Sequence, residues 1–162
     1  MIFRSARTAD APAIAELVNG FAAEGVMLPR TAESVELAIE SFVVACDERG
    51  GILACGALRE YSPSLAEVSA IAVDASAHGR GLGSEIVRRV EQLARQRGIG
   101  ELFALTLTAA FFESLGYSVV ERARYPEKMR RDCTGCARRF TCGEICVRRD
   151  IEPACAGLTA AA

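Results

Sequence analysis

The segment His78-Gly79-Arg80-Gly81-Leu82-Gly83-Ser84 limits what this chain can fold into more than any other stretch. An apolar run from Leu65 to Val73, interrupted only by Glu67 and Ser69, leads into it, and Leu82, Ile86, Val87, Val90, Leu93 and Ala94 follow at helical spacing until Gly98. A buried strand therefore feeds a glycine loop that opens an amphipathic helix. Glycines at alternate positions let backbone N–H groups converge with no Cβ in the way, while the helix brings its positive end to the same point. Such a loop can cradle a pyrophosphate, the alternative being a flexible connection that only starts a helix. The glycine spacing fits neither the dinucleotide-binding fingerprint nor a Gly-Lys-Ser/Thr phosphate loop.

Around this centre the chain reads as a mixed α/β fold. Ile2 to Ser5 is a short strand, and Thr8 or Asp10 caps a helix that Asn19-Gly20 should end. Residues 21–30 form a loop, after which Thr31 caps a second helix with Val35, Ala38 and Ile39 buried, placing Arg30 at its mouth. Phe42 to Cys46 and Ile52 to Tyr61 pair as a hairpin across Asp47-Glu48-Arg49-Gly50-Gly51. Beyond the glycine loop come a strand over Leu102 to Leu107, a short helix over Ala109 to Leu115, and a strand from Tyr117 to Arg122. Residues 125–150 form a polar, cysteine-rich extension in which Ile145 to Arg149 can return a last strand to the sheet. The 162 residues suit one domain spanning 1–162.

Composition removes several function classes. With 51% hydrophobic and 25% charged residues the chain has the balance of a globular protein. No apolar run reaches the ~20 residues that cross a bilayer, and the N-terminus lacks a signal-peptide pattern, so the expected location is the cytoplasm with no membrane partner. Residues 121–150 hold 9 basic and 5 acidic side chains, but the signs alternate and aromatics are few, so a solvated face is expected in place of nucleic-acid binding. A single histidine, His78, and no serine in a nucleophile turn argue against a Ser-His-Asp hydrolase.

The strand Glu67 to Val73, Asp74 and the loop His78-Gly79-Arg80-Gly81-Leu82-Gly83 resemble motif A of the GCN5-related N-acetyltransferases, with His78 departing from its first position. Phe111-Phe112-Glu113-Ser114-Leu115-Gly116-Tyr117 is similar to that family's Phe-Tyr-x-x-x-Gly-Phe segment. A nearer resemblance, to short N-acetylglutamate-synthase-like proteins, rests on Gly25-Val26-Met27-Leu28-Pro29-Arg30, Gly56-Ala57-Leu58, Ala66-Glu67-Val68 and Phe103-Ala104-Leu105-Thr106. The resemblance implies a mostly antiparallel sheet with a V-shaped splay between its fourth and fifth strands, and acetyl-CoA lying in the splay. It places the pantetheine arm on Ile71, Ala72 and Val73, the phosphates on His78, Gly79, Arg80, Gly81, Leu82, Gly83 and Ser84, and further cofactor contacts at Thr108 and Phe112.

The implied reaction is acetyl transfer from acetyl-CoA to the α-amine of glutamate, the opening step of arginine biosynthesis, so the expected partner is a small amino acid. A homodimer stays open. Arg30 is the candidate clamp for a substrate carboxylate, since a guanidinium can hold one by two parallel hydrogen bonds; a surface pair with Glu33 is its other reading. Cys55 joins it on the acceptor side, although a strand cysteine also reads as a small buried hydrophobe. Glu67, in an otherwise apolar strand, is the candidate base, or else an edge residue in a salt bridge. Phe112 lacks the hydroxyl that many relatives use as general acid, which leaves Tyr117 or water. The other functional readings are acetylation of another small amine or a peptide N-terminus, and a catalytically weak, zinc-stapled regulatory module.

Cys133, Cys136, Cys142 and Cys146 lie within fourteen residues, the first two at Cys-x2-Cys spacing. A structural zinc held by these four is one expectation, with Glu144 competing for the fourth place; reduced thiols or a labile disulfide are the others. Cys46, Cys55 and Cys155 are isolated.

Overall fold

A computed structural model describes residues 1–154. Its strands are β1 (Ile2–Ser5), β2 (Phe42–Cys46), β3 (Ile52–Ser62), β4 (Leu65–Val73), β5 (Glu101–Thr106), β6 (Ser118–Val120) and β7 (Ile145–Asp150). They form one sheet in the order β1-β2-β3-β4-β5-β7-β6, antiparallel except for β4 with β5. The returning strand β7 thus enters between β5 and β6. The helices are α1 (Ala11–Ala23), α2 (Ala32–Leu37), α3 (Leu82–Gln96), α4 (Ala109–Ser114) and the short α5 (Pro126–Lys128).

Two cores follow from the alternation of side chains along the strands. On one face Val35 of α2 and Ile14 and Val18 of α1 pack with Phe42, Val44, Cys55 and Ala57. On the other, Ile86, Val87 and Val90 of α3 and Phe112 of α4 pack with Val43, Ala54, Val68 and Leu102. No helix among the described residues is long and apolar enough to cross a membrane.

The pairing of β4 with β5 sets the geometry of everything that follows. Their parallel ladder covers only Leu65 to Glu67 against Glu101 to Phe103, after which the strands part. A bulge in β4 accompanies the parting: Cys55 faces Ala72 while Ala57 faces Ser69, so Ala70 and Ile71 oppose the single residue Gly56. Ala70 takes a positive φ of 53°. Gly56 permits this arrangement, because a Cβ there would meet Ile71 Cδ1 at 2.6 Å and Ile86 Cγ2 at 2.5 Å.

Several element boundaries differ from the sequence expectations. Helix α1 runs through Asn19-Gly20 to Ala23, since the left-handed residue after the helix is Gly25 at φ 76°. Asn19 is used differently: its side-chain amide grips the Arg30 peptide through two 2.8 Å hydrogen bonds. Strand β6 is shorter than expected because the Tyr117 ring turns into the core before it and a 3-10 turn, Arg122–Arg124, follows it. Within the polar extension, α5 continues as a π-helical turn over Met129–Cys133, which the sequence reading did not anticipate. Alternating charges concealed that helix.

Candidate active site

Glu67 is the last residue of β4 paired with β5, so its side chain sits at the vertex of the splay. It is 5% exposed. Its Oε2 accepts hydrogen bonds from Lys128 Nζ at 2.9 Å and Tyr61 Oη at 3.0 Å. Its Oε1 has no partner among the described residues, yet is open to water. Asp132 completes the cluster, 3.2 Å from Lys128 Nζ, 2.7 Å from Arg59 Nη2, and in contact with the Tyr61 hydroxyl. The phenol has one proton for two carboxylates; the Lys128 ammonium touches both, and Arg59 supplies the second positive charge that balances the pair. Burial alone would lower the Lys128 pKa; Glu67 and Asp132 outweigh it and raise it. The Tyr61 hydroxyl is pushed well up, first by burial and then by the Glu67 charge.

Arg30 approaches from the α1–α2 connection, its backbone fixed by Asn19 and its guanidinium 5.8 Å above the Phe42 ring. It makes no ion pair among the described residues, with Glu33 or any other acid. Burial first, and then the neighbouring Arg59, hold its pKa below the usual arginine value, while Glu67, Cys55 and Asp132 act in the opposite sense. One unpaired guanidinium thus shares an environment with the half-engaged carboxylate. Arg30, Arg59 and Lys128, with Arg131 over the Tyr61 ring, outnumber the two carboxylates of Glu67 and Asp132, so the cluster is positive in excess.

The glycine loop lies where β4 has lost its neighbour. Gly79 and Gly81 have φ of 73° and 74°, which L-residues rarely adopt, and a Cβ at either would face open space. Gly81 caps α3, and Arg80 and Ser84 flank it at the mouth of that fifteen-residue helix. Beyond Glu67, residues 68–73, Ile71, Ala72 and Val73 among them, have no strand on the β5 side. The unpaired edge and the open loop fit the two demands of acetyl-CoA, an extended amide chain and a pyrophosphate. His78 Nε2 is 2.8 Å from the Val73 carbonyl, which can only accept, so this nitrogen carries the proton and the ring ties the strand end to the loop. A cleft of about 470 Å³ beside the loop is lined by Leu17, Phe21, Asp74 and His78. None of Arg30, Glu67 and Lys128 borders it.

Other expected residues fall elsewhere. Phe112 is buried in the α3 core, and Phe111 takes the place facing the loop, its Cζ 3.4 Å from where a Gly83 Cβ would stand. Thr108 is exposed, its hydroxyl 3.1 Å from that of Thr106. Cys55 is fully buried, its thiol donating to the Ala70 carbonyl at 3.5 Å and pushed up to about 12 by burial, so it supports the bulge from beneath. Tyr117 lies on the α3 face and donates to Glu91 Oε1 at 3.1 Å; the sheet separates it from Glu67. Sequence reasoning missed Tyr61, Lys128 and Asp132. Lys128 did carry one signal, as the only lysine among the 19 basic residues.

The four cysteines do not converge on one ion. Cys146 is buried in β7 with Leu65, Phe103 and Tyr125. Cys142 Sγ accepts from Arg122 Nη2 at 3.2 Å and donates to Glu144 at 3.4 Å, while Cys136 Sγ accepts from the Arg138 amide. No group of three or more His, Cys, Asp and Glu residues among the described ones is arranged to hold a metal. The zinc expectation gains no support from this arrangement, and Arg122, bonded to Cys142 and to the Glu144 carbonyl, ties the segment locally. Cys155 lies outside the described residues.

The profile of the acetyltransferase (GNAT) domain matches residues 38–119. The chain belongs to the GNAT acetyltransferase family. This GNAT chain is 39% identical over 148 residues to an uncharacterized N-acetyltransferase of Chlorobaculum tepidum, covering 91% of this chain and 95% of that one. It is 35% identical over 122 residues to an amino-acid acetyltransferase of Mycobacterium tuberculosis, covering 74% and 70%. Among solved structures, the GNAT region of Neisseria gonorrhoeae N-acetylglutamate synthase, complexed with coenzyme A and N-acetyl-glutamate, superposes with a TM-score of 0.83 at 27% identity, over 93% of this chain and 35% of that one. The chain is an N-acetyltransferase. Its splayed sheet is the GNAT fold, and Lys128, itself paired with Asp132, reaches Glu67 from beyond the residues that the family profile covers.

Proposed function

We propose that this GNAT enzyme transfers the acetyl group of acetyl-CoA to the α-amine of an acidic amino acid, glutamate, and so opens arginine biosynthesis. The observation that carries this reading is Arg30, a part-buried guanidinium with no ion pair among the described residues, in the same environment as the free oxygen of Glu67. A substrate carboxylate fits Arg30 as a bidentate partner, with Arg59 as the second cation near it. The excess of positive charge in the cluster suits an acidic acceptor. The relatives named amino-acid acetyltransferases, and the N-acetyl-glutamate bound by the Neisseria synthase, support the same choice.

The residues divide the work as follows. Gly79 to Ser84 and the α3 N-terminus hold the pyrophosphate, and the open edge of β4 pairs with the pantetheine arm. Bound acetyl-CoA supplies the thioester carbon that the amine attacks. Glu67 takes the ammonium proton on Oε1 while Lys128 and Tyr61 fix the carboxylate through Oε2. The C–N bond forms as the C–S bond breaks, and the second proton that the nitrogen loses on becoming an amide passes through water to the leaving thiolate, since the Tyr117 hydroxyl is engaged with Glu91 on the other side of the sheet.

The test is CoA release from acetyl-CoA against a panel of amino acids and polyamines. Glutamate should be the preferred acceptor, and Arg30→Ala should raise its KM roughly thirtyfold with a smaller change in kcat, the loss of a charged hydrogen-bond pair. Preference for a neutral amine, or an Arg30→Ala variant with unchanged KM, would overturn the reading.

A further inference from the structure

Along β4 the face shared with α1 and α2 carries Glu67 and then Ser69, opposite Arg59 and Ala57 on β3. The Ser69 hydroxyl is buried and has no hydrogen-bond partner. A buried hydroxyl in that state is unfavourable for the free fold, because it has left water and gained nothing in exchange. Its surroundings explain why no neighbour serves it. Ala57 across the ladder offers only a methyl group, and Cys55, the next residue on that face of β3, donates its S–H to the Ala70 carbonyl.

Ser69 is also the first residue on this face past the point where β4 and β5 part. Same-face neighbours on a strand stand about 6.6 Å apart, and one nitrogen hydrogen-bonded to an oxygen on each side spans about 5.8 Å. The spacing of positions 67 and 69 along the strand is thus of the order that one nitrogen, hydrogen-bonded on both sides, spans. Arg30 lies within electrostatic reach of both Glu67 and Cys55, the groups that bracket Ser69.

We propose that Ser69 Oγ accepts a hydrogen bond from the acceptor amine and holds that nitrogen between itself and Glu67, an assignment that rests on the amine-acetylating reading of the site. The ammonium gives one proton to Glu67 Oε1 and keeps two N–H bonds. One of these stays on Ser69, and rotation about it turns the freed lone pair from Glu67 toward the open edge of β4. The hydroxyl that is unpaired in the free protein is then satisfied only when the acceptor is bound.

Ser69→Ala separates this role from a structural one. Acceptor kcat/KM should fall about tenfold, the loss of one hydrogen bond, while the KM for acetyl-CoA stays unchanged and the urea midpoint stays equal to wild type or rises. A kcat/KM within twofold of wild type, or a lowered urea midpoint, overturns the assignment. Wild type that turns over an amine while Ser69→Ala is unaffected removes the Ser69 proposal alone. Wild type that acetylates no amine in the panel removes both it and the reading on which it rests.

Discussion

Two glutamates are buried in this protein, and they stand in opposite conditions. Glu91 is 3% exposed and Glu67 5%, so burial does not tell them apart. Glu91 projects from α3 with both oxygens in use: Oε1 accepts from Tyr117 Oη and Arg149 Nη1, and Oε2 from Arg95 at 3.5 Å. Arg149 is itself anchored, donating to the Leu115 carbonyl at 2.8 Å. Glu67 has one oxygen engaged and one free, at a place where two strands have separated. A buried carboxylate whose acceptors are all filled holds elements together; one left half-filled beside an opening can take up a proton. Remaining capacity, more than burial, marks a candidate catalytic group.

The largest expected effect is on turnover. Glu67→Gln keeps an oxygen for Lys128 but removes the base, and kcat should drop about a thousandfold, within the span ascribed to a positioned general base, with little change in urea stability. A loss below about threefold would show that proton removal is done elsewhere. Glu91→Ala should invert the pattern: it leaves Arg149 and Tyr117 without their acceptor and should cost about 3 kcal/mol of stability, with kcat per folded molecule unchanged. Urea unfolding and steady-state rates on the same two variants test the contrast directly. If both lose activity and neither loses stability, the distinction collapses.

The contrast also shows which parts of the molecule local sequence can reveal. Strands β2 to β4 and the loop from His78 to Ser84 were legible because alternation, glycine spacing and the following helical period lie within a few residues of each other. Glu67 stood out as a charge in an apolar strand, but its free oxygen did not, since the partners filling the other oxygen come from Tyr61 and from Lys128, 61 residues further on. Phe111 and Phe112 are adjacent in a six-residue helix, too short a period to say which ring faces the loop and which the core. The cysteine spacing invited a metal, yet β7 commits Cys146 to the interior of the sheet edge, a constraint of strand pairing that spacing does not carry.

A smaller effect is expected at the support of Glu67. Lys128→Met leaves Glu67 and Asp132 facing one another with a single phenolic proton between them. The side chain is only 14% exposed, so the loss should be about 2 kcal/mol of stability, accompanied by a fall in kcat because the carboxylate is no longer fixed through Oε2. Full retention of kcat would mean that Tyr61 alone orients Glu67.

The smallest effect, and the one that asks whether this support is electrostatic, is read by titration. Burial acts to raise the Asp132 pKa, but the Tyr61 hydroxyl, Lys128 and Arg59 outweigh it and hold the carboxyl below its ordinary 3.8. A folded value below the unfolded one means that the contribution is complete above the unfolded pKa and lost as pH falls through the folded one. The stability difference between wild type and Asp132→Asn should therefore be constant from about pH 7 to 5 and shrink below about pH 4, the ordinary Asp range. Acids outside this cluster titrate alike in the two proteins, so the difference reads Asp132 together with the groups it touches. A gap that closed already near pH 6 would show that Asp132 is not held ionised by its cations, and would leave Lys128 as the sole charged support of Glu67.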